Sequence, residues 1–268
     1  MPQCSNGPSL AKPGRARYAA EMIVLIALAL YQIPPAAPPD HGPDVSIQQV
    51  QEDDLFQLHY SWPPAIISMP LLRAELGREM ERQRIRGTRF ARGARAQARR
   101  EDFPFSPHTL SVIWRLEGRT PQLVSLSAET GAWRGGGHSE DGYDSMLWDA
   151  TRNRRIDAHA LFRSTAITRR FCAAYPNALN NHLGTGALAQ DDPRWNCPAL
   201  GRRPLAPADT DGNGRFDTLR VFMAVNYFEA EGYSVDVPIE PSDIARIPAE
   251  LRPAFEVAGE RSAPLPAE

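Results

Sequence analysis

Two clusters in this sequence hold residue types that can do chemistry. The first is Asp209-Thr-Asp211-Gly-Asn213-Gly-Arg-Phe-Asp217. Side-chain oxygens at positions 1, 3, 5 and 9, with Gly214 at position 6, match the front of a calcium loop. Position 12 of such a loop carries a bidentate Glu; here it is Arg220. The other use of these residue types is a turn, because Asp and Asn bond their own backbone and Gly accepts unusual φ. The expectation is a hairpin between Leu205 and Leu219, with calcium at Asp209, Asp211, Asn213 and Asp217 as the alternative. No other cofactor is expected.

The second cluster is Gly135-Gly136-Gly137-His138, followed by Glu140, Asp141 and Asp144. An imidazole beside carboxylates can exchange protons with a substrate. The same glycines can also serve a tight turn, where absence of a Cβ permits positive φ or close backbone approach. The turn reading is preferred here, with His138, Gly136, Gly137 and Asp144 as candidate binding residues. A small hydrolase using His138 and its neighbouring carboxylates is the alternative. Other catalytic signatures are missing: the sequence contains no Gly-x-Ser-x-Gly, no P-loop and no His-Glu-x-x-His.

The elements that must position these clusters read as follows. Leu55 to Trp62 alternates like a half-buried strand. Ile67, Leu71, Leu72, Leu76 and Met80 recur at helical spacing, predicting a helix to about Arg86. From Arg73 to Arg100 there are ten arginines against three glutamates. That run is read as a solvated, charge-laced face; binding of an anionic polymer is the other reading. Thr109–Leu116 and Gln122–Ala128 form a hairpin pattern, and Tyr143–Trp148 is a further strand. A turn follows at 149–154, then a short helix over 164–174. Thr218–Val225 and Tyr233–Ile239 are late strands, and Ser242–Ile247 is a short helix. Strands are grouped, not alternated with long helices, so the fold class is α+β with mainly antiparallel sheet.

The chain has 268 residues and a formal charge of −2, so no global field points to nucleic acid. Lys12, Arg15 and Arg17 precede an apolar stretch from Met22 to Ile33, which prolines then stop. This order predicts a signal peptide or N-terminal anchor over 1–37, the only expected contact with a membrane. Residues 38–53 read as a linker and 259–268 as a disordered tail. Cys172 and Cys197 flank a polar, turn-rich segment; a disulfide is expected there in an oxidising compartment, and two buried thiols are the alternative.

The stretch from Asp54 to Trp62 with its following helix resembles the PdaC-type domain. Gly135-Gly136-Gly137-His138, Leu147-Trp148-Asp149 and Asp157-Ala-His-Ala-Leu-Phe162 resemble the RsiV-type domain, as does Asn226–Gly232 with the strand after it. On this resemblance the domains are 54–130 and 131–258. It implies a bacterial cell-envelope protein of the periplasm or cell surface. It further implies a non-catalytic binding role, with a partner that is a glycan such as peptidoglycan, or a secreted protein such as lysozyme, which one relative senses. Deacetylase activity, present in a separate domain of another relative, does not carry over. The six histidines, at 41, 59, 108, 138, 159 and 182, never approach His-x-x-x-His spacing.

Overall fold

The structure is a computed structural model, and it describes residues 46–52, 54–135, 139–184, 191–224 and 232–259. The expected signal segment, residues 260–268 of the tail, and most of Asn226–Gly232 lie outside these. Among the described residues no helix is long and apolar enough to cross a membrane.

A six-stranded sheet holds β1 (Ser46–Glu52), β2 (Phe56–Trp62), β3 (His108–Arg119), β4 (Leu123–Trp133), β5 (Ser139–Asp149) and β6 (Arg154–Ile156), in that order. All neighbours are antiparallel except β2 and β3, which run parallel with Phe56 opposite His108. Parallel partners need a long crossover, and α1 (Pro70–Arg100) supplies it. A second sheet of β7 (Leu205–Ala208), β8 (Thr218–Met223) and β9 (Tyr233–Pro238) is wholly antiparallel. The remaining helices are α2 (Ala158–Phe162), α3 (Thr165–Leu183) and α4 (Pro241–Ile244). The class is α+β, as expected.

The first sheet separates two cores, and strand alternation sorts side chains between them. Val124, Leu126 and Ala128 of β4 face the α1 side with Met146 and Trp148 of β5. Leu123 and Leu147 face the other side, where α2, α3 and the second sheet pack. Both faces being covered, β4 is buried without interruption from Leu123 to Ala128. The boundary expected at 130/131 falls inside this strand.

Three elements depart from the sequence reading. The expected linker contains β1, which pairs along the whole of β2, Ser46 opposite Trp62 and Glu52 opposite Phe56. Backbone pairing of an edge strand leaves little apolar pattern to read. α1 continues past Arg86 to Arg100. Its core-facing residues change from Leu72 and Leu76 to Gly87, Ala91 and Ala98, so the buried stripe persists while the large apolar side chains stop. Glu75–Arg78, Glu79–Arg82 and Glu81–Arg84 pairs brace the solvent side at 2.5–2.7 Å, the i, i+3 spacing that supports a helix. α3 also outruns its expected end, reaching Leu183 through Pro176.

The expected disulfide is present. Cys172 on α3 joins Cys197 with Cα atoms 5.3 Å apart. Tyr175, one turn further along α3, donates from its hydroxyl to the Arg194 carbonyl at 2.8 Å and holds the same segment.

Candidate functional site

Gly135, the described residue of the glycine cluster, follows β4 on the connection to β5. β4 and β5 pair up to Trp133 opposite Ser139, and the connection opens at Gly135 with φ 86°. Only glycine reaches this region freely. Gly136, Gly137 and His138 lie outside the described residues. The carboxylates expected beside them have other partners: Glu140 pairs with Arg134, and Asp144 Oδ1 accepts from the Ser145 amide at 2.7 Å and lies 3.6 Å from Arg155. The Leu147-Trp148-Asp149 stretch ends in a turn organised by Asp149. Its fully buried carboxylate accepts from the Thr151 and Arg152 amides at 3.0 and 2.9 Å and from the Thr151 hydroxyl at 2.7 Å. Burial raises its pKa, but these donors outweigh burial and hold it below the usual range.

The acidic loop connects β7 to β8, the hairpin its residue types predicted. Asp209 Oδ1 accepts from the Gly212 and Asn213 amides, and Oδ2 from the Gly214 amide, at 2.8–3.1 Å. Gly212 and Gly214 take φ of 74° and 86°. Asp217, 5% exposed, accepts from the Thr210 amide at 3.2 Å and its hydroxyl at 2.6 Å. Arg220 turns away, to Asp236 at 2.9 and 3.0 Å and Glu117 at 2.8 Å, linking the two sheets. Of the four residues named from sequence, Asp209, Asp211 and Asn213 are joined through the Asn213 backbone amide, which donates to both carboxylates at 3.1 and 3.2 Å. Asp211 and Asp217 meet Glu256, with one carboxylate oxygen of each within 4.8 Å of the others. Asp209 is occupied with the loop backbone, and burial raises its pKa against those donors.

A third site was not read from the sequence. A cleft of about 330 Å³ opens between α1 and one end of β2, β3 and β4, lined by Gln83, Arg86, Phe90, His108, Ala132 and Arg134 among others. Phe90 is 55% exposed. The Arg134 guanidinium lies 5.1 Å from the Phe90 ring centroid, and the His108 ring 5.4 Å from it. Phe105 lies 5.5 Å from His108, with Arg95 5.8 Å from the Phe105 centroid. His108 is buried, and its Nδ1 has no hydrogen-bond partner among the described residues. Burial, then the charge of Arg134, lower its pKa. The cleft thus joins an exposed aromatic face, two guanidinium groups and an imidazole whose protonation is disfavoured. One sequence signal was present: Phe90 is a lone aromatic inside the arginine run.

No protein-family model and no curated protein matches this sequence. Solved structures of the DUF3298 family, a bacterial domain of unknown function, are similar to it. One from Pseudomonas aeruginosa PAO1 is 13% identical with a TM-score of 0.44, covering 77% of this chain and 94% of that one. Another, from Bacteroides fragilis, is 10% identical with a TM-score of 0.42, covering 79% and 96%.

Proposed function

We propose that this is an exported cell-envelope protein, of PdaC-type and RsiV-type organisation, that binds cell-wall glycan without transforming it. The observation that carries this reading is the Phe90 cleft. A sugar ring presents weakly apolar C–H faces and a rim of hydroxyls and carboxylates. An exposed aromatic ring takes the faces, while Arg86, Arg134 and Gln83 take the rim. Peptidoglycan carries free carboxylates on its stem peptides, which would compete with Glu79 and Glu140 for the two guanidinium groups. The disulfide suits an oxidising compartment.

The test is co-sedimentation of the purified full chain with intact sacculi, before and after lysozyme digestion. Wild-type protein pellets with intact sacculi. Phe90→Ala, which removes an exposed ring, keeps the fold and loses about tenfold in affinity, the share of one stacked aromatic. Arg134→Ala weakens binding in a salt-dependent way. Equal binding by wild type and Phe90→Ala removes the cleft from the reading. Capture of lysozyme itself with no binding to sacculi replaces the glycan by a protein partner.

A further inference from the structure

We infer that Asp211, Asp217 and Glu256 form a binding site for a hard divalent cation of the calcium class, in which Glu256 stands in for the missing twelfth loop ligand. The loop alone falls short, because its twelfth residue, Arg220, is committed to Asp236 and Glu117. The fold brings a carboxylate from elsewhere. The Phe216 amide donates to the Ala254 carbonyl at 2.9 Å, and the Glu256 amide donates to the Phe216 carbonyl at 3.0 Å. This short parallel bridge between Phe216 and Phe255 lays Glu256 beside Asp217. Phe216 is fully buried, which pins the bridge.

A cluster of acids alone would signify little, since exposed carboxylates gather often. Here Glu256 is only 5% exposed, and its Oε2 is buried with no hydrogen-bond partner among the described residues. A buried carboxylate oxygen without a donor costs free energy unless something positive meets it. No arginine pairs with Asp211, Asp217 or Glu256 among the described residues, Arg215 of the same loop included. Among the described residues the Asn213 side-chain amide bridges Asp211 and Glu256. Its Nδ2 donates to Asp211 Oδ2 at 3.1 Å and Glu256 Oε1 at 2.5 Å. A cation would do for three carboxylates what this amide does for two. An all-oxygen set selects calcium, magnesium or manganese over zinc or copper. Calcium, with longer bonds and a more tolerant geometry, asks less of ligand placement than magnesium.

The experiment is calorimetric titration of the chelator-stripped full chain with calcium chloride, and separately magnesium chloride, paired with thermal unfolding. Calcium is expected to bind at one site, in the range from about 10 μM to 1 mM spanned by sensor and extracellular sites. At saturation it raises the unfolding midpoint by about 5–10 °C. Glu256→Gln keeps shape and hydrogen bonding to Asn213, and should weaken calcium at least tenfold. Asp211→Asn, at an exposed position, does the same without risk to the core. No heat and no midpoint change at about 10 mM calcium, well above the weakest such sites, overturns the inference. So does calcium binding unaffected by both substitutions.

Discussion

At the scale of the residue, His108 couples the cleft to pH. It is buried at the start of β3, opposite Phe56, and its Nδ1 lacks a partner. Burial and Arg134 both disfavour the imidazolium, so its pKa in the folded chain lies below the ordinary 6.5. The unfolded chain therefore binds the proton more readily. Stability is level above about pH 6.5 and falls as pH drops through that value toward the folded pKa. Urea unfolding at pH 7.5 and 5.5 should show the midpoint lower at the acid end. His108→Gln should flatten that difference, whatever it does to stability at pH 7.5. Carboxylates held low, such as Asp149, act only at more acid pH and leave this window clear. An identical pH slope in both proteins removes His108 as its source.

At the scale of the element, α1 shows how close packing hides from a pattern reader. A Cβ placed on Gly87 would lie 2.2–2.6 Å from the Phe56 ring, which is itself in the core. Phe56 fills the space where a side chain of the helix would stand. Gly87→Ala gains about 1 kcal/mol in helix propensity but must displace that ring, at about 1–3 kcal/mol. The expected net is a loss of about 1 kcal/mol by urea unfolding. Gly93, on the same helix, has nothing within 4 Å of such a Cβ. Gly93→Ala should gain about 0.5–1 kcal/mol. A stabilising Gly87→Ala would mean that the helix does not rest on Phe56 as described. The same substitution pattern explains what was legible. Alternation at Leu55–Trp62 and Thr109–Leu116 announced β2 and β3, and the Asp-Asn-Gly run announced the β7–β8 turn. Small residues at Gly87, Ala91 and Ala98 gave no hydrophobic period, so the second half of α1 was invisible, and with it the cleft that Phe90 lines. Glu256 was missed for a different reason. Its partner strand position is set by the Phe216–Phe255 bridge, forty residues from the loop it completes, and no local spacing encodes that.

At the scale of the whole molecule, the Cys172–Cys197 bridge ties α3 to the segment that precedes β7. It closes a loop of 25 residues, which restricts the unfolded chain by about 3.5 kcal/mol on the chain-entropy view. The folded state has other means of holding this segment. Tyr175 reaches the Arg194 carbonyl, and Trp195, Cys197 and Leu200 pack against the core that α3 shares with the second sheet. Loss of the bridge should therefore lower stability while leaving the native arrangement in place. Cys172→Ser with Cys197→Ser, or the wild type in reductant, should unfold about 7–14 °C lower. Sacculus binding at 25 °C should remain, because the cleft lies on the opposite, α1 side of the six-stranded sheet, lined by none of the bridged segment. If binding disappeared together with the bridge while the protein stayed folded, the glycan would have to be touching the α3 side. An unchanged midpoint in reductant would instead mean that residual structure already restricts this segment in the unfolded ensemble, so that the bridge adds little to stability.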